Sequence, residues 1–554
     1  MEYFFQQLGR LLVYILYDKK DIMRNIIMIL VVAVLLSAPQ AAKGQWTPEA
    51  LKLAQVMEKV GRFYVDTIDE SAVVERTIVQ MLHELDPHSS YLSKEELEAL
   101  NEQLEGEFEG IGVSFNILED TIYIIRAISG GPSERVGITA GDRIVKVEGK
   151  TVAGTGITTR DVQGLLKGPK GTKVNVSVKR RNKSELLEFG ITRDKIPVFS
   201  VDASYMVNDR IGYLKLARFS HSTIEEFEKA IRELKAEGME DLIIDLSNNG
   251  GGWLPVAVEM ADHLLSGNKE IVSTEGSRVP DRKYRARRSG LFEDGNLVIM
   301  IDGGSASASE IVSGAVQDWD RGVIVGRRSY GKGLVQQPFM LSDGSLIRLT
   351  VARYYTPTGR LIQRPYENGY EEYAMDLINR YNQGELTNED SVAFPTSEQY
   401  KTLELNRTVF GGGGIMPDYF VPLDTSVYSD YYRGLIGLGI LNQFVLQFVD
   451  EKRDELKQSF PDFETFKRKY APSGEDLDQL IAFASGEELE YSEEDWQISK
   501  GQITMLFKSY VARDLWGMDQ FFEVYNQSDE VFNKAVEILE NPTMLQRKLA
   551  KVEH

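Results

Sequence analysis

A serine, a lysine and a run of glycines, in three separate segments, are the residues whose types and surroundings could do chemistry. The first segment, Asp302-Gly303-Gly304-Ser305-Ala306-Ser307-Ala308-Ser309-Glu310-Ile311, follows an apolar run and opens a helical pattern. It puts Ser307 at a helix N-terminus, where free N–H groups and the helix dipole favour a developing negative charge. Ser307 and Glu310 also spell S-x-x-E, a capping box that stabilises a helix and catalyses nothing, and the segment alone favours that plainer reading. The second segment is Gly326-Arg327-Arg328-Ser329-Tyr330-Gly331-Lys332-Gly333-Leu334-Val335-Gln336. Burial of a lysine reached from an apolar strand would disfavour its ammonium form and make Lys332 a usable base. An isolated G-K-G is more commonly a surface turn. The segment also fits G-x-x-x-x-G-K, a phosphate loop, but Gly333 replaces the magnesium-binding Ser or Thr and no convincing helix follows. The third segment runs from the strand Leu242–Leu246 through Asn248, Asn249, Gly250, Gly251 and Gly252 to Trp253. Three consecutive glycines let a backbone approach a ligand and turn N–H groups toward it, or form an ordinary turn.

Composition narrows the chemistry that these segments could serve. The 554 residues contain no cysteine, which excludes disulfides, thiolate metal sites and a cysteine nucleophile. The five histidines, His83, His88, His221, His263 and His554, show no zinc-ligand spacing, and none lies close in sequence to the serines. A net charge of -21 repels phosphate backbones, so nucleic acid is a poor partner. No metal or cofactor is expected.

The elements that must position the three segments read as a layered α/β core over residues 200–360. Its strands are Ile211 to Leu216, Leu242 to Leu246, Leu297 to Ile301 and Val323 to Val325, and helices fit Ile224 to Glu237, Pro255 to Leu265 and Ala308 onward. Residues 46–103 are helical in pattern, interrupted by a turn at Asp86-Pro87-His88-Ser89-Ser90-Tyr91-Leu92. Residues 106–193 carry short alternating strands with glycine turns. A polar insertion is expected over 366–408, and an acidic helical domain over 425–554 with Leu435 to Leu456 as its most apolar helix.

Taken in order, these segments resemble the C-terminal processing peptidases, or tail-specific proteases, over about residues 80–424. The resemblance rests on Asp86 to Tyr91, Phe108 to Val113, Arg135 to Ile144, the Ser307 and Lys332 segments, Arg353 to Arg360, and Gly414-Ile415-Met416-Pro417-Asp418. It implies a crotonase/ClpP-like α/β peptidase core (196–424) with a PDZ domain (104–195) between that core and an N-terminal helical domain (46–103). It also implies a serine endopeptidase with Ser307 as nucleophile, Lys332 as base and Gln336 holding the lysine. The oxyanion hole maps to the backbone of Ala308 and of Gly251 or Gly252, and the PDZ carboxylate-binding loop to Gly110, Ile111, Gly112 and Val113. The family usually has arginine where this chain has Ser247, proline at Gly250 and an acidic residue at Arg327. A PDZ adaptor with an inactive protease-like core is the rival from another functional class.

The implied partners are proteins or peptides with accessible C-termini, with an adaptor lipoprotein and self-association as further expectations. Arg24, the apolar run Ile26 to Leu36, and Ala38, Ala41, Ala42 and Gly44 follow the charged, apolar, small-residue order of an export signal within residues 1–44, for which Met23 is a fitting start. Were the earlier stretch Leu11 to Tyr17 retained, the region would read as a membrane anchor. The resemblance makes the periplasm the expected location.

Overall fold

The computed structural model describes residues 47–541, apart from 182 and 393–397, together with 543 and 544. The expected export signal lies outside the described residues. The chain divides into two compact units, Met1–Ile78 and Val79–His554. The division falls inside the range 46–103 expected as one helical domain. In the first unit the helix Pro48–Phe63 is started by Thr47, whose hydroxyl accepts from the Ala50 N–H (3.2 Å), and by a proline in its first turn. None of its residues is buried.

The second unit is built on a six-stranded sheet in the order Val201–Met206, Ile211–Leu216, Asp241–Asp245, Leu297–Ile301, Val323–Gly326, Tyr419–Phe420. The first pair is antiparallel and every later pair parallel. Unbroken apolar runs such as Leu297-Val298-Ile299-Met300-Ile301 form such strands because both faces are covered. Leu242, Ile244, Ile299 and Ile301 pack under the helices Thr223–Ala236, Leu254–Asp262 and Ala308–Asp318. Ile243, Val298, Met300 and Val325 face the opposite way, onto Val531, Phe532, Ala535, Ile538 and Leu539 of the helix Glu530–Glu540. The range 425–554 is therefore not one separate body: its last helix is a layer of the core. The remaining helices of that range form their own aromatic-rich cluster around Phe444, Phe448, Phe466 and Phe507, and the expected Leu435–Leu456 helix is divided at Gly439 (φ 71°).

A second sheet is centred on Leu346–Tyr355, which pairs with Leu334–Met340 on one edge and with Ser90–Leu92 and Glu270–Glu275 on the other. Ser90–Leu92 was expected as part of a turn; its partners Arg348, Ile347 and Leu346 lie too far along the chain for local pattern to reveal them. Residues 113–192 form a separate β-rich module whose sheet has Val113–Leu118 as a free edge. A two-stranded ribbon, Glu107–Gly110 with Asp194–Pro197, ties the module to the core. On its far side Leu118 and Tyr123 meet Leu446 of the helix Ile440–Ser459, and Arg143 pairs with Asp450 (3.3 Å).

Candidate active site

The three chemical segments leave the C-terminal ends of three adjacent parallel strands, the place where such sheets gather functional loops. Residues 246–253 follow Asp241–Asp245, residues 302–307 follow Leu297–Ile301, and residues 327–333 follow Val323–Gly326. Hydrogen bonds join the first two loops. Asp302 Oδ1 accepts from the N–H groups of Asn248 and Gly304 (2.9 Å each), and Ser305 Oγ donates to the Leu246 carbonyl (2.9 Å). The Asn249 carbonyl accepts from Ala306 N–H (3.0 Å) and Ser309 Oγ (2.8 Å).

Ser307 sits at the turn into the helix Ala308–Asp318 with φ 54° and ψ -107°, an unusual backbone for a serine. The observation leads to function only through its neighbours. Glu310 is completely buried, and its carboxylate does more than cap the helix. Oε2 accepts from the N–H groups of Ser307 (2.8 Å) and Lys332 (2.9 Å), and Oε1 from Gly331 N–H (2.7 Å) and Ser329 Oγ (2.5 Å). Because Ser329 Oγ itself accepts from Ile415 N–H (2.6 Å), its proton is free for Glu310. Burial pushes the Glu310 carboxyl up, and these four donors oppose that shift. The buried Tyr354 hydroxyl lies 2.6 Å from the Lys332 carbonyl and 3.2 Å from that of Ser307. One carboxylate and one phenol thus tie the serine turn to the lysine loop.

Lys332 Nζ donates to Gln336 Oε1 (3.1 Å), and burial pushes its pKa down from 10.5 to about 8. Arg348 adds to that depression, while Glu310 and Asp86 oppose it. Gln336 is oriented in turn, because its Nε2 donates to the His88 carbonyl. The His88 imidazole meets the Tyr373 hydroxyl through Nε2 (2.7 Å), and that hydroxyl accepts from Gln363 Nε2 (3.1 Å). The phenolic proton is then directed at an unprotonated Nε2. This agrees with a His88 pKa lowered by burial, then by Lys332, to about 3. Gln363 Oε1 closes the ring on Gly333 N–H (2.8 Å). The segment after the lysine is the strand Leu334–Met340, so the helix that a phosphate loop requires is absent.

The glycine loop reaches the serine turn. A Cβ on Gly251 (φ 99°) would lie 2.9 Å from Ala308 N and 2.9 Å from Ser307 Cβ. At Gly252 (φ 151°) it would lie 2.0 Å from the Phe219 carbonyl. Ser247, at the family's arginine position, receives a cation by another route: Lys215 Nζ donates to its carbonyl (2.7 Å) and pairs with Asp245 (3.0 Å). Arg327 Nη1 donates to the Val421 carbonyl (3.3 Å).

A groove of about 380 Å³ lies along the free strand Val113–Leu118 of the β-rich module, against the helix Thr159–Leu166. Gly110, Ile111, Gly112 and Val113 line it, with Phe108, Phe115 and Leu166 supplying apolar surface. The sequence singled out these four residues and the Ser307 and Lys332 segments, but assigned no role to His88, Tyr373, Gln363 or Tyr354. The D-P-H motif around His88 and the run Arg353 to Arg360 around Tyr354 were the available signals.

Comparison with known proteins supplies the family. Residues 210–371 match peptidase family S41, 123–180 match the PDZ domain, and 431–517 match a family of unknown function. The carboxy-terminal-processing protease of Bartonella bacilliformis is 35% identical over 317 residues, covering 56% of this chain and 72% of that protein. The chain belongs to the carboxy-terminal processing proteases of peptidase family S41. Another member, carboxy-terminal processing protease CtpB of Bacillus subtilis, is 32% identical over 316 residues, which are 56% of this chain and 65% of CtpB. Among solved structures, a photosystem II D1 C-terminal processing protease is 30% identical, with 57% of this chain and 91% of that one covered and a TM-score of 0.33. The PDZ domain of the carboxy-terminal protease from Vibrio cholerae, solved with a peptide, is 37% identical over 16% of this chain and 97% of that one, with a TM-score of 0.15. In this S41 chain the PDZ domain is the β-rich module bearing the groove.

Proposed function

We propose that Ser307 and Lys332 form a catalytic dyad with which this chain cuts protein substrates near their C-termini. The observation that carries the proposal is the state of Lys332: a buried amine held by a neutral amide oxygen, its pKa pushed down to about 8, on a loop tied to the serine turn through Glu310. A substrate tail docks as an added strand on Val113–Leu118, its terminal carboxylate meeting the loop Gly110-Ile111-Gly112-Val113. Neutral Lys332 takes the proton from Ser307 Oγ, which attacks the peptide carbonyl carbon. The oxyanion takes the N–H groups of Ala308 and Gly252. Gly252 is favoured over Gly251 because the Gly251 N–H already donates to Asn249 Oδ1 (2.9 Å). Protonated Lys332 then gives its proton to the leaving amine, breaking the C–N bond. Water, deprotonated by Lys332, attacks the acyl carbon; the bond from that carbon to Ser307 Oγ breaks, Lys332 returns the proton to Oγ, and the new carboxylate is released.

The residue order from Arg24 to Gly44 supports a site of action outside the cytoplasm, and membership of the family is what points to the periplasm. Among the described residues no helix is long and apolar enough to cross a membrane. The test is incubation of wild-type, Ser307→Ala and Lys332→Ala proteins with substrates differing only in their last few residues, read by mass spectrometry. Cleavage is expected from wild type alone, with rates set by the tail. Wild-type rates in either variant contradict the dyad, and rates independent of the tail contradict PDZ-guided selection.

A further inference from the structure

One cation beside the dyad has no partner of its own. Arg348 lies on the strand Leu346–Tyr355, opposite Pro338 on Leu334–Met340, as Thr350 lies opposite Gln336. Side chains alternate between faces along a strand, and directly opposed residues share a face, so Arg348 and Thr350 project from the same face as Gln336. That face holds the site: Gln336 receives Lys332 Nζ there, and Thr350 Oγ1 donates to Asp86 Oδ1 (3.0 Å). On its other edge Arg348 is paired with Ser90, two residues from His88. Its charge reaches both Lys332 and His88, and after burial it is the largest influence on the lysine.

Neighbouring buried arginines are engaged. Arg328 holds Glu385 with two bonds (2.6 Å each), Arg380 reaches the same carboxylate (2.7 Å), and Arg364 pairs with Asp376. The half-buried Arg348 has neither an ion pair nor a hydrogen bond among the described residues, and its Nε is buried with no acceptor. Burial lowers its pKa with no carboxylate opposing the shift. Across the strand the Ser90 hydroxyl is also buried and unpartnered. A guanidinium drawn from water without compensation is costly, and its planar fork of donors matches a carboxylate.

We propose that Arg348 is a specificity-determining residue that binds a substrate carboxylate beside the Ser307–Lys332 dyad, so that chains bearing one near the scissile bond are cut preferentially. The carboxylate comes either from an acidic side chain or from the free C-terminus of a short tail; the chemistry is shared and the experiment separates them. The inference rests on the peptidase reading above. Bound there, the carboxylate offsets the unpaired charge of Arg348 and fixes the register of the chain against the serine.

The test uses the full chain and a parent peptide with neutral residues around the cut and an amidated end, which offers no terminal carboxylate to the PDZ groove. One arm replaces each position flanking the cut by Asp or by its isostere Asn. The other frees the C-terminus of a shortened tail. In wild type, kcat/KM for at least one carboxylate peptide is expected to exceed that of its neutral counterpart by about tenfold, the worth of a charged hydrogen bond. In Arg348→Gln that ratio falls to near one, and Arg348→Lys retains part of it. The responding arm identifies the source. Equal rates within the pairs in wild type, or a ratio unchanged in Arg348→Gln, overturn the proposal; Arg348→Met replaces the Gln variant if that one does not fold. Serine-dependent cleavage of the neutral parent is the internal control. Its absence, together with no serine-dependent cleavage of the same peptide bearing a free full-length tail, defeats the peptidase reading, whereas its presence without carboxylate preference defeats only the subsite.

Discussion

A carboxylate without water survives only where protein donors replace its hydration shell, and at Glu310 four donors do so from two different loops. Substituting Gln keeps the shape but sets amide hydrogens against N–H groups. Glu310→Gln is expected to cost about 2 kcal/mol or more in denaturant unfolding, from buried donors left unpaired. It should also lower kcat/KM about 100-fold, because the serine and lysine backbones lose their shared anchor. Retained activity in a folded Glu310→Gln protein would show that Tyr354 alone suffices. In the sequence Glu310 read only as a helix cap, since its second set of donors comes from residues 329–332. The segments carrying Ser307, Lys332 and Gln336 stood out through motif order, but the ring through His88, Tyr373 and Gln363 did not. Its members lie up to 285 residues apart, and no local pattern connects them.

At the scale of elements, the site depends on how closely loops approach one another at the strand ends. Gly252 shows the limit, with φ 151° and the Phe219 carbonyl 2.0 Å from any added Cβ, while Gly250 has nothing within 4 Å. Gly252→Ala is expected to destabilise by about 3 kcal/mol through displaced backbone, and to lower kcat more than KM if the oxyanion donor moves with the loop. Gly250→Ala should leave both thermal stability and kinetics near wild type. Comparable losses in the two variants would place the constraint elsewhere. Four of the six core strands were readable because buried parallel strands are continuous apolar runs, whereas the outer strands Val201–Met206 and Tyr419–Phe420 were not. Ser90–Leu92 was not, because three residues carry too little pattern and its pairing partner is remote.

The whole molecule joins its parts through the tail helices. The helix Glu530–Glu540 covers one face of the core sheet with Val531, Phe532, Ala535, Ile538 and Leu539, all buried. At roughly 1.5–3 kcal/mol for each large apolar side chain, its removal costs about as much as the whole stability of an ordinary domain. Truncation after residue 526 is expected to yield protein that is unfolded or aggregated by circular dichroism and gel filtration, not an enzyme with an uncovered site. A folded, active truncation would contradict that assignment. The acidic tail sequence displayed helices but not this layer, because an amphipathic face does not name what it covers.

The dyad is tested most directly by the rate at which a fluorophosphonate labels Ser307 as pH varies. The lysine must be neutral to accept the serine proton, and its pKa is depressed from 10.5 to about 8, so the reactive form gains with rising pH through that value. His88, at about 3, is neutral throughout and does not shape the curve. Labelling in wild type is predicted to climb about tenfold per pH unit up to about pH 8 and then level off, and to be lost in Lys332→Ala. A limb near pH 6.5, as an ordinary histidine would give, or undiminished labelling in Lys332→Ala, would contradict Lys332 as the base.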